Sequence, residues 1–249
     1  MATSCVILFL FAASVPADEG ATLLARAAEA HGGIERFRAV SDWHIVAERK
    51  LSDPEVEEIY EEYLLRESGR ERTLLIKRRA ESILVFGHDG EAGFSLTDGS
   101  LRDDPGAADE GYYRAHGEYY LRSLPFKWMD PGVSVTYAGR ESLGGRDVEL
   151  LSISAAENVG PAWQDVWVGV FDRRTGLLVE ARLTHHLDSG VSEITYHYDD
   201  YRSVSGLQIP HRLEYSTGGR RTGENVIQRI EIDAGVDPLL FSPESHRRP

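Results

Sequence analysis

The chain has 249 residues, 41% hydrophobic and 27% charged, fractions that fit a globular protein and exclude a disordered or fibrous one. Its 41 acidic residues against 27 basic ones leave a net charge of −14, a surface that repels phosphate backbones and argues against nucleic acid as a partner. One cysteine, Cys5, excludes a disulfide framework within the chain.

Residues 1–17 carry no charged side chain and include the unbroken apolar run 5–13, too short for the roughly 20 residues that span a bilayer. Val15-Pro16-Ala17 sets small residues before a cut ahead of Asp18. Residues 1–17 are therefore expected to be a secretory signal peptide, and 18–249 a single periplasmic or secreted domain without thiols.

Residues 22–30 are rich in helix formers, with Leu24, Ala27, Ala28 and His31 at helical spacing and Gly32-Gly33 as a stop. A short turn over 34–40 follows. From Ser41 the period changes to two, and Trp43, Ile45 and Ala47 alternate with His44, Val46 and Glu48. Strands are expected at 56–66, 72–79, 82–86 and 93–96, separated by Asp53-Pro54, Ser68-Gly69, His88-Asp89-Gly90 and Asp98-Gly99, the spacing of an antiparallel meander. The charges of 56–66 and 72–79 predict one solvated face, and the runs Glu57-Glu58 and Glu61-Glu62 read as a solvated edge.

Residues 103–132 break the meander. Tyr112, Tyr113, His116, Tyr119, Tyr120 and Leu124 recur at three- and four-residue steps, which predicts a helix with an aromatic face, ended by Pro125. Gly111 and Gly117 weaken that helix by about 1 kcal/mol each, so it is expected to depend on packing. Strands resume at 133–137, 146–154, 163–171, 177–187, 191–198, 208–216 and 226–232, with Gly144-Gly145 and Gly218-Gly219 among the turns. The whole reads as a mainly β single domain: an antiparallel half-barrel of about eleven strands, with an N-terminal helix and one inserted helix over its concave face.

One hairpin can be read in detail. With Ser189-Gly190 as its turn, Asp188 pairs with Val191. Leu183, His185, Leu187, Ile194, Tyr196 and Tyr198 then share an apolar face, and Arg182, Thr184, His186, Glu193, Thr195 and His197 share a polar one.

Gly-x-Ser-x-Gly, Walker A, Gly-x-Gly-x-x-Gly and His-Glu-x-x-His are all absent, so the expectation is a protein without catalysis, cofactor or metal. The densest histidine group, His185, His186 and His197 with Asp199 and Asp200, reads as a solvated strand face. The rival reading is a metal-dependent hydrolase using His186, Glu193 and His197. Trp163, Trp167 and Phe171 share one side of a strand whose other side carries Val166, Val168 and Val170. A strand apolar on both faces needs cover on both, and the Tyr-rich helix is a candidate cover. A sheet half-closed over a helix either packs solid, as a structural or protein-interaction module, or keeps an opening for an apolar ligand. Face parity assigns Trp43, Ile45, Tyr60, Leu74, Ile76, Phe94, Tyr120, Trp167, Tyr196 and Tyr198 to the lining of such a cavity.

The order of these pieces resembles the LolA/LolB-like lipoprotein-localisation superfamily and its outer-membrane-lipoprotein-sorting relatives. The likeness is carried by Ala30-His31-Gly32-Gly33-Ile34, Trp43 at the first strand, Leu124-Pro125-Phe126 and Asp130-Pro131-Gly132. It continues through Tyr137-Ala138-Gly139-Arg140 leading to Gly145-Arg146-Asp147-Val148, Phe171-Asp172 before Thr175-Gly176, the run 201–210 and Asp237-Pro238-Leu239-Leu240-Phe241. The resemblance implies a half-barrel whose apolar concavity is covered by helices and, in carrier members, holds lipoprotein acyl chains without catalysis. No position here is matched to the carriers' functional residues or to the receptor members' lipid-anchored cysteine. The expected function is an exported binding protein for a lipid or other apolar small molecule, lipoprotein acyl chains among them, with transient membrane contact.

Overall fold

The computed structural model describes residues 18–52, 55–157, 164–187 and 190–248. The expected signal peptide, Trp163, Asp188 and Ser189 lie outside the described residues. Helix α1 (Asp18–Ala30) and the short α2 (Ile34–Arg38) lead into a meander of β1 (Asp42–Ser52), β2 (Glu55–Glu67), β3 (Arg70–Arg78), β4 (Ile83–His88), β5 (Gly93–Thr97) and β6 (Ser100–Leu101). Helix α3 (Ala107–Arg122) and a 3-10 turn at Phe126–Met129 follow. The second meander is β7 (Val133–Leu143), β8 (Arg146–Ala155), β9 (Val166–Asp172), β10 (Leu178–Leu187), β11 (Gly190–Val204), β12 (Leu207–Thr217) and β13 (Arg220–Ile232).

All thirteen strands form one sheet, in the order β6-β5-β4-β3-β2-β1-β13-β12-β11-β10-β9-β8-β7. The two meanders meet where β1 pairs antiparallel with β13, Trp43 opposite Ile232. The sheet is open, with β6 and β7 at its edges. This is the predicted half-barrel, with the two-residue β6 among the strands beyond the expected eleven. Five two-residue turns set its regularity. Ser68-Gly69, Asp98-Gly99, Gly144-Gly145, Ser205-Gly206 and Gly218-Gly219 each have positive φ at both residues, the turn geometry whose twist matches that of the flanking strands.

Two apolar clusters fill much of the concave side. Trp43, Ile45, Tyr60, Leu64, Leu75 and Phe86 of β1–β4 pack with Ala115 and Tyr119 of α3. Leu23, Leu24 and Ala27 of α1 pack with Trp128, Leu151, Phe171, Ala181 and Leu213. A third cluster lies on the opposite face of β3–β5, where Leu74, Ile76, Val85, Phe94 and Leu96 are covered by Val236, Leu240 and Phe241 around the 3-10 turn Pro238–Phe241. The C-terminal segment is thus the cover for a face that the strand pattern leaves apolar.

The seat of α3 is not its aromatic stripe. Its buried residues are Ala107, Gly111, Ala115, Tyr119 and Arg122, mostly small and at four-residue steps. A Cβ on Gly111 would lie 2.1 Å from the Phe94 backbone oxygen, so glycine is what lets the helix lie on β5. Ser95 Oγ, buried, donates to the Ala107 carbonyl at 2.7 Å beneath the same turn. Tyr112 and Tyr120 flank this seat and are only partly buried, and Tyr113 is exposed.

The solvated face expected on β2 and β3 is corrected by the structure. Glu58, Glu62 and Lys77 are buried on the concave side. There α3 replaces water, and opposite charges from other elements compensate them. Buried Arg49 reaches Glu58 at 3.3 Å and Glu118 of α3, and its Nε donates to Asn225 Oδ1 at 2.8 Å. Arg79 donates to Glu58 at 2.8 Å, and Arg122 donates to the Tyr60 hydroxyl at 2.8 Å. Such a network is tolerated because each charge is paired or hydrogen-bonded. Glu62 is the exception. Neither of its oxygens has a hydrogen-bond partner, and burial lifts its pKa to about 8, so at neutral pH it holds its proton.

The hairpin of β10 and β11 keeps the predicted faces in a different register. Leu183 pairs with Ile194 and Leu187 with Gly190, two residues from the alignment that a Ser189-Gly190 turn requires. A two-residue slip leaves every side chain on its own face, so the apolar pattern could not distinguish the two.

Candidate functional site

Between α3 and the concave side of β8–β11 lies a partly open cavity of about 610 Å³. The helix contributes Tyr113, Gly117, Glu118, Tyr120 and Leu121; the sheet contributes Ile153, Trp167, Leu183 and Tyr196. Lys127, Asp130 and Val133 come from the segment after α3 and the start of β7. The strand residues converge because of the pairing: Ile153 lies opposite Trp167, and Trp167 opposite Leu183. Ala181 pairs with Tyr196 and packs in the core beside the cavity. The Trp167 and Tyr196 rings stack with centroids 5.8 Å apart, and Tyr120 of α3 meets Trp167 at 5.7 Å. The wall is mainly apolar with a few polar groups at fixed places, the usual make-up of a small-molecule site.

Three carboxylates sit in that wall, Glu118, Asp165 and Asp130. Glu118 is bound to Arg49; burial pushes its pKa up, but Arg49 and Lys77 outweigh it and lower it below the ordinary carboxylate value. Asp165 lies 2.7 Å from His185 Nδ1 and accepts from the His186 backbone N–H at 2.9 Å. Burial raises the phenol pKa of Tyr120 to about 12. It also raises those of Tyr113 and Tyr196, with the Asp165 charge adding to both. At the mouth, Lys127 pairs with Asp130 at 2.8 Å and Glu71 at 3.4 Å. His116, stacked on Tyr112 at 5.0 Å, has its pKa lowered to about 4, chiefly by burial, and is neutral at pH 7.

Of the ten residues that parity assigned to a lining, Tyr120, Trp167 and Tyr196 are brought together here. Tyr198 lies beside them in the packed core, its hydroxyl donating to the Leu121 carbonyl at 3.2 Å. Trp43, Ile45 and Tyr60 are fully buried in the cluster under α3. Leu74, Ile76 and Phe94 point to the opposite face, under the C-terminal segment. On β3 both faces are apolar, so parity alone could not tell which is concave. Sequence reasoning passed over Tyr113, Glu118, Asp165 and Leu183 as lining; Tyr113 was legible from its helical spacing, whereas the two acids carry no local signal.

The histidine face does not gather a metal site. His197 stands opposite Glu180, six residues and about 20 Å along the strand from His186, and its Nδ1 contacts Glu180 at 3.0 Å. Among the described residues no group of three or more metal-ligating side chains forms. His31 serves the fold. Its Nδ1 donates to the Ala27 carbonyl at 2.7 Å, and its Nε2 accepts from the Leu178 N–H at 3.4 Å.

Comparison with solved structures places this architecture. A domain from Vibrio parahaemolyticus described as an outer membrane lipoprotein-sorting protein matches with a TM-score of 0.60 at 12% identity, over 93% of this chain and 100% of that one. A DUF1329 family protein from Desulfovibrio piger matches at 0.61 and 12% identity, over 94% and 100%. A LolA superfamily protein from Nitrosomonas europaea matches at 0.52 and 12% identity, over 90% and 97%. The fold is LolA-like. No protein-family model and no curated protein sequence matches the chain. The LolA-like likeness, at 12% identity, is one of architecture: an open antiparallel sheet wrapped around helices. Among the described residues no helix is long and apolar enough to cross a membrane.

Proposed function

We propose that this chain is an exported, non-catalytic carrier that holds a lipid or acyl chain between α3 and β8–β11. The observation that carries this reading is the cavity of about 610 Å³ with Tyr120, Trp167, Leu183 and Tyr196 on its wall, within the roughly 300–1,000 Å³ of small-molecule sites. Each CH₂ moved from water into such a wall contributes about 0.8 kcal/mol before the losses of ordering. The LolA-like fold and the lipoprotein-sorting description of one structural neighbour support the same reading. Periplasmic or secreted location follows from the expected signal peptide.

The test is native mass spectrometry of protein purified without detergent, followed by organic extraction. Retained lipid near one per chain, or uptake of added fatty acid or lysolipid, is the expected result. A clean apo mass with no uptake overturns the carrier reading in favour of an interaction module.

A further inference from the structure

The cavity wall has more character than an acyl slot requires. A slot for hydrocarbon alone is served by aliphatic side chains, yet the rings of Tyr120, Trp167 and Tyr196 meet here at 5.7 and 5.8 Å. Around them the wall carries three carboxylates, Glu118, Asp130 and Asp165, against two permanent cations, Arg114 and Lys127. Both cations are already engaged, Arg114 by Glu110 at 3.5 Å and Lys127 by Asp130 and Glu71. Asp165 is buried, and its partners are His185 and a backbone N–H, neither a permanent cation. The whole chain carries −14, a field that gathers cations and repels anions. Among the described residues of this wall an anionic head would find no cation without a carboxylate partner, whereas an organic cation would find aromatic rings and a carboxylate.

We infer that the cavity takes an amphiphile whose head is a quaternary ammonium group, seated against Tyr120, Trp167 and Tyr196 with Asp165 as counter-charge. A cation within about 6 Å of an aromatic ring is attracted by the ring's negative face. A quaternary ammonium suits such a site because it sheds water readily and needs no hydrogen-bond acceptor. The inference rests on the carrier reading above and specifies the head of its ligand.

The test compares three probes of equal chain length by titration calorimetry at low salt: dodecyltrimethylammonium, dodecanoate and dodecanol. The expected result is that the ammonium binds about tenfold more tightly than the alcohol and the carboxylate more weakly than either. Trp167→Leu and Asp165→Asn should each remove most of the ammonium's advantage over the alcohol, both probes being measured on the same variant. Equal binding of the three probes, or preference for the carboxylate, overturns the inference while the acyl cavity stands. Failure of all three to bind overturns the carrier reading and the inference with it. The wild-type comparison decides without the variants.

Discussion

Two glycines six positions apart on α3 should answer the same substitution with opposite signs. Ala in place of Gly within a helix gains up to about 1 kcal/mol from backbone propensity alone. At Gly117 a Cβ would meet nothing within 4 Å, so Gly117→Ala should realise that gain and raise Tm by about 2–4 °C for a domain of this size. At Gly111 the new Cβ would lie 2.1, 2.5 and 2.7 Å from the Phe94 backbone oxygen, carbon and nitrogen, whereas ordinary contact begins near 3.4 Å. Strand backbone held in the β4–β5 ladder cannot rotate away as a side chain can. The helix must therefore retreat by about 1 Å, an overpacking that costs about 1–3 kcal/mol, and in doing so it stretches the Ser95–Ala107 hydrogen bond. The loss exceeds the propensity gain, so Gly111→Ala should lower Tm by several degrees in thermal melts followed by circular dichroism. It should also weaken lipid uptake, since α3 forms one wall of the cavity. A Gly111→Ala protein as stable as wild type would refute the seating of α3 on β5.

The remaining predictions concern the buried charges and the third cluster. Glu62 titrates near 4.5 in the unfolded chain and about 8 in the folded one. Between those values the native state holds a proton that the unfolded state has lost, so stability falls as pH rises, by about 1.4 kcal/mol per unit. Glu62→Gln should abolish that slope in urea unfolding, and parallel profiles for the two proteins would refute it. His31 behaves oppositely. Its pKa falls from 6.5 to about 4 through burial, so its contribution is present above pH 6.5 and lost as pH falls toward 4, and NMR titration should show a neutral ring at pH 5. Glu118→Leu strips Arg49 of a buried partner and should cost about 3–5 kcal/mol, much of it recovered by adding Arg49→Met; a double variant no better than the single one would sink this account. Phe241→Ala should cost about 3–5 kcal/mol in denaturant melts, and a small effect would mean that the C-terminal segment is not the cover of β3–β5.

Much of the architecture was legible because local rules carry it. All five two-residue turns are Ser-Gly, Asp-Gly or Gly-Gly pairs, four of them evident as breakers between strands, and the alternation from Trp43 to Ala47 marks the inner side of β1 correctly. Parity failed where a strand is apolar on both sides. Leu74 and Leu75 are equally buried, and only the distant Phe241 decides what lies over the former. Charge misled for the same reason. Glu58 read as solvent-facing because its compensation comes from Arg49 and Arg79, outside its own strand, and Glu62 because burial under α3 keeps its carboxyl protonated. At the candidate site the aromatic residues announced themselves, whereas Asp165 and Glu118 gain meaning only when β9, β10 and α3 converge.

The pairing of β1 with β13 also fixes an order of events. The first meander can zip up locally, turn by turn, but the inner edge of β1 has no partner until a strand some 180 residues later has been made. Contacts of such long range are slow to form, and meanwhile β1 presents a bare row of amide and carbonyl groups to any passing strand. During synthesis this seam is therefore where the chain is most open to mispairing. A strand that pairs with β1 before Ile230 and Ile232 arrive opposite Ile45 and Trp43 would leave the two meanders unjoined.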